Sequence, residues 1–599
     1  MAAHEHRLLE GLTAEQRDAV TTRASPLCVI AGAGSGKTRV LTRRIAWQAA
    51  EGHLDPRRVL TVTFTRRAAR ELRSRLRRLG LRDSVKAGTF HAVALAQLHR
   101  HAADSGRRPP RILENTAGLV AELRPRSDRT TVAAISHEIG WCQARLIPPE
   151  RYAAAARQAG RRPPLGGAAR FAQLYADYES AKLKRRILDF DDVLGRALEL
   201  MRPESKFAAA HRWFHQHLLV DEFQDINPLQ FALLKSWLGP DSTLVVVGDP
   251  DQAIYGWNGA DPELINSVGG HLSGCAVLHM RTNFRSTPEV LAAAGRILGR
   301  PPQPAARPPG DEVAVTACDG ADEAATLARA VRQSHRPGSS WRRQAVLART
   351  NAQLEPLRKA LARQGIPVST HTERALIRRP EVEAVLRAWP PGASLGDCVA
   401  DTRQDLLRDT ASEDPTDRLK HAADGRDRLS ATVGSPADAD AGARANIVAF
   451  LDFAEDHLLL HPDSTVGAFV TALRADDRVA ARSDGVDMLT FHGAKGLEWP
   501  IVHLVGVEDG FVPIAHVRTE AARAEERRLL HVAVTRAEQR LHVMWCPRRD
   551  LGRESVDRKP SPWLADIGGT AGVDEDSQSA INRDGLARAR QALKDARDD

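Results

Sequence analysis

The sequence predicts an α/β protein with parallel sheets, arranged as two α/β domains that each carry a mainly helical insertion. Three observations lead there. Apolar runs of strand length recur at Leu27–Ile30, Val59–Phe64, His217–Val220, Thr243–Val247, Ala345–Ala348, Val486–Thr490 and Ile501–Val505. Helical patterns such as Arg67–Leu79 and Pro288–Leu298 separate them, and alternation of strand with helix gives parallel sheets. The strands fall into one group before about residue 275 and one after it, whereas 92–180 and 381–480 lack such runs.

At 599 residues, a domain size of roughly 150 predicts about four domains. Lys and Arg number 85 against 76 Asp and Glu, a net charge of +9, with 27% charged and 42% hydrophobic residues. That balance excludes a mostly disordered chain, and the basic surplus suits nucleic acid without requiring it. No apolar run approaches the roughly 18 residues of a membrane helix. The opening MAAHEHRLLEG puts charges where a signal peptide needs an apolar core, so a cytoplasmic protein is expected. Six cysteines stand singly without zinc-site spacing. Breaks are expected near Arg107, in the Pro-rich Arg300–Gly310, and in the Asp/Ala/Gly/Arg-rich stretch from Pro391 to Arg444.

The chemistry begins at residues 27–38, where an apolar strand runs into Ala31-Gly32-Ala33-Gly34-Ser35-Gly36-Lys37-Thr38 and then a helix. Glycines let backbone N–H groups wrap a phosphate, and the helix N-terminus adds positive potential. Lys37 would reach the β- and γ-phosphates and Thr38 would hold Mg²⁺. The strict pattern has Gly where this chain has Ala31. A second strand ends in Asp221-Glu222. Asp221 is expected to bind Mg²⁺, and Glu222 to orient and deprotonate the attacking water. A third strand ends in Gly248-Asp249-Pro250-Asp251-Gln252, with Tyr255 and Trp257 following. Gln252 could sense a γ-phosphate or its water. Taken alone, that segment reads equally as a polar turn with two core aromatics.

An ordered set of blocks, AGAGSGKTRVL, TFTRRAARELRSRL, GTFHA, LLVDEFQD, VGDPDQAIYGWNGA, TNFRSTPEV, LTFHGAKGLEW and EERRLLHVAVTRA, resembles the UvrD/Rep/PcrA family of superfamily 1 DNA helicases. From Leu12 to about residue 540 the likeness covers most of the chain. It implies two RecA-like P-loop domains with ATP between them. The first would comprise 1–91 and 181–275 around an insertion at 92–180. The second would comprise 276–380 and 485–568 around an insertion at 381–484, and 569–599 would be a polar tail with Leu586, Ala589 and Leu593 on one face of a helix. By the same resemblance Gln16 reads the adenine, Arg39 and Phe284 sandwich it, and Glu498 lies on the ribose side. Arg285 and Arg536 would contact the γ-phosphate. Composition and spacing do not single out these two among so many arginines. Phe64, Arg66, Thr89, His91, Tyr255, Trp257 and His492 match DNA-facing or coupling positions, although Phe64 and Trp257 alone would read as core. The cofactors implied are ATP and Mg²⁺, and the partners single-stranded DNA, duplex junctions and repair or replication proteins.

Four departures stand out. Arg66-Arg67 replace a usual Asn-Lys, Phe284 a usual Tyr, and Asn258 an Arg found in many members. The second insertion is short and poor in aromatics, which bears on strand separation more than on ATP hydrolysis. The implied activity is ATP-driven 3′-to-5′ translocation on single-stranded DNA with duplex unwinding, in repair or replication restart. The alternatives are a motor subunit of a helicase–nuclease or defence complex, or a translocase that strips proteins from DNA.

Overall fold

The computed structural model describes residues 7–573 apart from 82–84, 109, 114–115, 203–204, 370–379, 412–446, 448–449, 452, 456, 459–463, 476–483, 552–553 and 569–570. The expected tail helix carrying Leu586, Ala589 and Leu593 lies outside the described residues. The chain forms two compact units, one of residues 1–91, 107–368 and 485–599, the other of 92–106 and 369–484.

The first unit holds two large sheets. The first sheet comprises β1 (Leu27–Ala31), β2 (Val59–Thr63), β3 (Lys86–Thr89), β4 (His217–Val220), β5 (Thr243–Gly248) and β6 (Ala276–Met280), in the order β3-β2-β4-β5-β1-β6. All its pairs are parallel. The second comprises β7 (Ala314–Ala317), β8 (Gln344–Ala348), β9 (Val368–Ser369), β10 (Val486–Thr490), β11 (Trp499–Leu504), β12 (Ala537–Trp545) and β13 (Ala571–Val573), in the order β9-β10-β8-β11-β12-β7-β13. The seven apolar runs of the sequence are β1, β2, β4, β5, β8, β10 and β11. Strands covered on both faces read as near-continuous apolar runs, and all five residues of β2 and of β8 are buried.

Two strands without a sequence signal, at the edges of the first sheet, have less to bury. β3 reads Lys-Ala-Gly-Thr at one edge, and β6, at the other edge, is buried only at Met280. β6 pairs with β1 from Leu27↔Ala276 to Ala31↔Met280. The strand that follows the expected 275/276 division therefore belongs to the first sheet.

In the first sheet β1, β2, β4 and β5 end together, because parallel strands share one carboxyl edge. That edge carries the P-loop, Phe64, Asp221 and Asp249, the edge where open parallel sheets place ligands. Glycine at position 36 serves the turn off β1, since its φ of 88° lies in the left-handed region and it starts the helix Lys37–Ala50. The helix Pro228–Trp237 after β4 is fixed by a capping box between Asn227 and Gln230, with Pro228 in its first turn.

Between β3 and β4, helices Thr116–Leu123, Arg129–Ala144, Tyr152–Gln158 and Ala168–Arg185 pack around Ile135, Ile139, Trp141, Tyr152, Phe171 and Tyr178. A two-residue pairing of Arg111–Ile112 with Ile187–Leu188 is its only strand feature among the described residues. Lys182, on the last of these helices, is buried between Asp189 at 2.6 Å, Asp192 at 2.7 Å and Glu179 at 3.1 Å. In the second unit, Trp389, Phe450, Phe453 and Phe469 form the core with Val382, Leu395 and Leu451. The second insertion, poor in aromatics by composition, concentrates those it has at its centre.

The second sheet buries a chain of neutral imidazoles. His503 Nε2 lies 3.0 Å from Gln344 Oε1, and its Nδ1 faces His542 Nδ1 at 3.4 Å. His542 Nε2 meets Thr316 Oγ1 at 2.9 Å. Two facing ring nitrogens share one proton, and burial opposes a second. His503 is pulled down to about 3 by burial and then by His542, and His542 to about 4 by burial, against 6.5 in a free chain. The unfolded chain thus takes up protons that the folded chain refuses. Stability is expected to fall as pH drops below 6.5 toward 4, by up to about 1.4 kcal/mol per pH unit for each histidine. Urea unfolding at stepped pH checks this, and His503→Gln should flatten the profile.

Candidate functional site

The P-loop is tied to its surroundings through main-chain atoms. Lys37 Nζ donates to the Ala31 carbonyl at 3.0 Å, and Ser35 Oγ to the Gly32 carbonyl at 2.8 Å. Because Lys37 uses only the carbonyl of residue 31, alanine serves there, and its methyl packs in the core of the first sheet. Gln16, buried at the start of the helix Ala14–Thr21, donates from Nε2 to the Ser35 carbonyl at 2.9 Å and accepts from Thr13 N–H at 3.2 Å. Arg39 Nη2 donates to the Gly11 carbonyl at 2.9 Å. The Phe284 ring is 37% exposed, while its N–H donates to the Gly34 carbonyl at 2.9 Å.

Asp221 and Glu222 leave β4 in a tight bend, with Glu222 at φ 54° and its N–H donating to Asp221 Oδ1 at 3.0 Å. A non-glycine residue in that region carries strain of about 1–3 kcal/mol and is held there by its surroundings. Here Gln224 does the holding. Its Nε2 donates to Glu222 Oε2 at 2.6 Å and its Oε1 accepts the Asp249 N–H at 2.9 Å. Asp221 is buried and Glu222 half-buried. Burial and then the Glu222 charge push Asp221 up to about 7. Burial acts against Glu222 too, but Lys37, Lys495 and Arg536 together hold it below the usual carboxylate range.

Gln252 is the meeting point with the second sheet. Its Nε2 donates to Asp249 Oδ2 at 2.5 Å, its Oε1 accepts from Arg536 Nη2 at 3.4 Å, and its carbonyl accepts from Lys495 Nζ at 2.5 Å. Arg536 is 1% exposed and also donates to the carbonyls of Val532 and Leu497. Burial and then the neighbouring Arg285 guanidinium bring Arg536 down to about 9. Arg285 pairs with Glu498, and its Nε is buried without a partner among the described residues. An orphaned guanidinium N–H beside a P-loop fits a phosphoryl oxygen, and a carboxylate with a hydroxyl, Asp221 and Thr38, is the oxygen donor set that Mg²⁺ takes.

Aromatic residues continue from this point. The rings of Phe64 and Tyr255 stack at 5.1 Å and 19°. Trp257 lies 6.4 Å from Tyr255 and meets His492 edge-on at 6.1 Å. Lys495 Nζ lies 4.9 Å from the centre of the Tyr255 ring. Trp257 is 41% exposed. Burial, and then Arg349, pulls His492 down to about 4 and leaves it neutral. Thr89 is half-buried at the end of β3, and His91 stacks on Phe190 at 3.7 Å, the Phe190 ring being 59% exposed. The neighbouring Phe90 is core, stacked on Trp237. Arg66 opens the helix Arg66–Arg78, and its side chain lies outside the described residues. Asn258 is exposed in the turn Gly256–Asn258.

Sequence reasoning missed Lys495, Asp225, Asn283, Gln224 and Phe190. Lys495 Nζ pairs with Asp225 at 2.6 Å, both side chains nearly or fully buried. Four of these lie inside a block already singled out, and Phe190 lies outside all of them; their pairings join residues as much as 270 apart in the chain.

The chain matches the family model of the UvrD/REP helicase N-terminal domain over residues 12–272 and that of the UvrD-like helicase C-terminal domain over 278–388 and 445–548. ATP-dependent DNA helicase UvrD2 of Mycobacterium tuberculosis is 34% identical over 97% of this chain and 85% of its own length. The chain belongs to the UvrD-like helicase family. More distant members include ATP-dependent DNA helicase PcrA of Bacillus subtilis, 28% identical over 94% of this chain and 86% of its own. DNA helicase II of Escherichia coli is 27% identical over 94% and 88%. Among the described residues no helix is long and apolar enough to cross a membrane.

Gly34 has a φ of 67°, and a Cβ there would lie 2.6 Å from Arg285 Cβ. Gly34→Ala is therefore expected to cost about 1–3 kcal/mol of stability, because it both strains the loop and forces Arg285 away. Unfolding midpoints of the variant and the parent check it.

Proposed function

We propose that this protein is an ATP-dependent DNA helicase whose hydrolytic cycle drives 3′-to-5′ movement along single-stranded DNA, in DNA repair or replication restart. In this reading the two parallel sheets are two RecA-like motor domains, the first extending through Met280, and the substrates are ATP, single-stranded DNA and duplex junctions in the cytoplasm.

The observation that carries the reading is a continuous run of contacts. It passes from Arg536 to Gln252, from the Gln252 carbonyl to Lys495, and from Lys495 to the face of Tyr255, which stacks on Phe64. A side chain suited to touch a γ-phosphate is thereby three contacts from a ring suited to stack on a base.

Each residue has a role in this reading. Gln16, Arg39 and Phe284 hold the base, with Glu498 toward the ribose. The P-loop from Ala33 to Lys37 cradles the phosphates. Asp221 and Thr38 hold Mg²⁺, which neutralises phosphate charge when bound. Glu222, kept ionised by the lysines around it, accepts a proton from the attacking water. Arg285 and Arg536, from the second sheet's side, offset charge on the transferring phosphoryl group. Gln252 registers whether the γ-phosphate is present, and its carbonyl and Lys495 pass a displacement to Tyr255. Phe64, Tyr255 and Trp257 offer stacking faces, His492 supports Trp257, Thr89 and His91 line the DNA path, and Arg66 is assigned to DNA by the family likeness alone.

ATP hydrolysis with and without single-stranded DNA tests the reading. Hydrolysis should rise with DNA, and Glu222→Gln should lower it by about a hundredfold or more, the contribution of a positioned general base. Absence of DNA stimulation would overturn the motor. Tailed duplexes test direction: a 3′ tail should support unwinding and a 5′ tail should not. Unwinding only in the presence of an added protein would favour the motor-subunit alternative. Tyr255→Ala should weaken single-strand binding by about 1–3 kcal/mol without loss of fold, as read by fluorescence anisotropy.

A further inference from the structure

The Pro-rich segment Arg300–Gly310, marked by composition as a break, is pinned along its length. Arg300 Nη1 donates to both Asp251 carboxylate oxygens at 2.7 Å. The Asn283 N–H donates to the Pro304 carbonyl, and the Ala306 N–H to the Asn283 carbonyl, each at 2.8 Å. Arg307 Nη2 donates to Glu538 Oε2 at 2.9 Å, and the Gly310 N–H to Glu289 Oε2 at 2.9 Å. Gln303 lies so close over the P-loop that a Cβ on Gly32 would fall 1.8 Å from its Nε2. The segment is a strap that runs from Asp251, past the P-loop, to the start of β12.

At the middle of the strap is Asn283, 0% exposed. Its main-chain N–H and carbonyl are both taken by the strap. Its side-chain Nδ2 donates to the Ala33 carbonyl of the P-loop at 2.6 Å. Its Oδ1 accepts the Arg285 N–H at 2.8 Å and the Ser286 N–H at 2.9 Å. One amide thus spans from the phosphate loop to the root of an arginine, and glycine at 34 makes the approach possible.

We propose that Asn283 is a positioning residue for Arg285, locking the root of its side chain to the P-loop, with the strap holding Asn283 in place. The proposal rests on the hydrolysis reading above. Arg285 has a long side chain and, apart from Glu498, only a 3.5 Å contact to the Thr535 carbonyl among the described residues to fix its guanidinium. Its reach toward the P-loop is set at its backbone, and there Asn283 supplies the acceptor. Removing that acceptor leaves two buried N–H groups unpaired and frees the root of the arginine, a loss felt in the transition state more than in nucleotide binding.

The experiment is steady-state ATP hydrolysis by the full chain at saturating single-stranded DNA. It compares wild type, Asn283→Ala, Arg285→Ala and the double variant, with melting curves to confirm folding. Asn283→Ala is expected to lower kcat about tenfold while KM for ATP stays within about twofold. The double variant should be no slower than Arg285→Ala alone, because the two act as a unit. Losses that multiply, or a raised KM with unchanged kcat, would overturn the proposal.

Asn283→Asp gives a second reading should the alanine variant fail to fold. It keeps the acceptor for Arg285 and Ser286 but replaces the donor to Ala33 with a charge near the phosphates. Its kcat should stay within about threefold of wild type while KM rises, and a kcat as low as that of Arg285→Ala would overturn the proposal. A wild type that fails to hydrolyse ATP in the same assay would overturn the hydrolysis reading, and with it this one, whereas multiplying losses count against this proposal alone.

Discussion

The ammonium group of Lys495 sits where the working parts of this protein converge. It is paired with Asp225 behind β4, bonded to the carbonyl of Gln252 after β5, and set against the face of Tyr255. Breaking a buried pair by removing one partner costs far more than the pair contributes, because an uncompensated charge is left in a dry site. The ends of β4 and β5 and the turn after β10 are therefore constrained to move together or not at all. The same cation helps keep Glu222 charged, so the geometry of the aromatic row and the electrostatics of the phosphate site depend on one group.

Around that point the two sides of the nucleotide site have different physical characters. The P-loop side is made of main-chain atoms. Glycines at 32 and 34 let Gln303, Asn283 and Arg285 approach the loop itself, and Lys37 is parked on carbonyls of its own loop. The opposing side is made of long cationic side chains whose charge burial opposes, as the lowered Arg536 shows. Buried cations facing a phosphate loop at a helix N-terminus make a site that favours an anion between them. That suits a nucleotide whose triphosphate would satisfy both sides at once.

Much of this was legible in the sequence because the large terms in the fold are local or periodic. The seven apolar runs became strands since a doubly covered parallel strand is apolar at nearly every position. The P-loop and the acidic strand end follow from the turn geometry that each strand exit requires. Two of the missed strands have little to bury: β3 with its Lys-Ala-Gly-Thr, and β6, half exposed at the sheet's edge, whereas β12 lies inside its sheet and was missed because charged residues interrupt its apolar positions. Compositional reading marked the Pro-rich strap as a connection, which it is between the helix Pro288–Ile297 and β7, but not that it is anchored, because proline removes N–H donors without preventing carbonyls and side chains from being held. The Pro304 carbonyl and Arg300 are two such anchors.

The site residues divide the same way. Lys37, Thr38, Asp221 and Glu222 carry their chemistry in short motifs next to strand ends. Arg285, Arg536 and Glu498 needed the family likeness, since nothing in spacing separates them from dozens of surface charges. Asn283 was invisible even with that likeness to hand. Its importance is neither charge nor ring but the number of partners it joins, and those lie 250 residues away at Ala33, two residues on at Arg285, and about twenty on in the strap. A neutral amide in a sequence has four hydrogen-bonding groups, backbone included, and no indication of where they go. Only burial supplies that indication. An amide with no exposed surface must have its polar groups paired, and at a junction between a phosphate loop and an arginine the pairing itself fixes the geometry on which the chemistry depends.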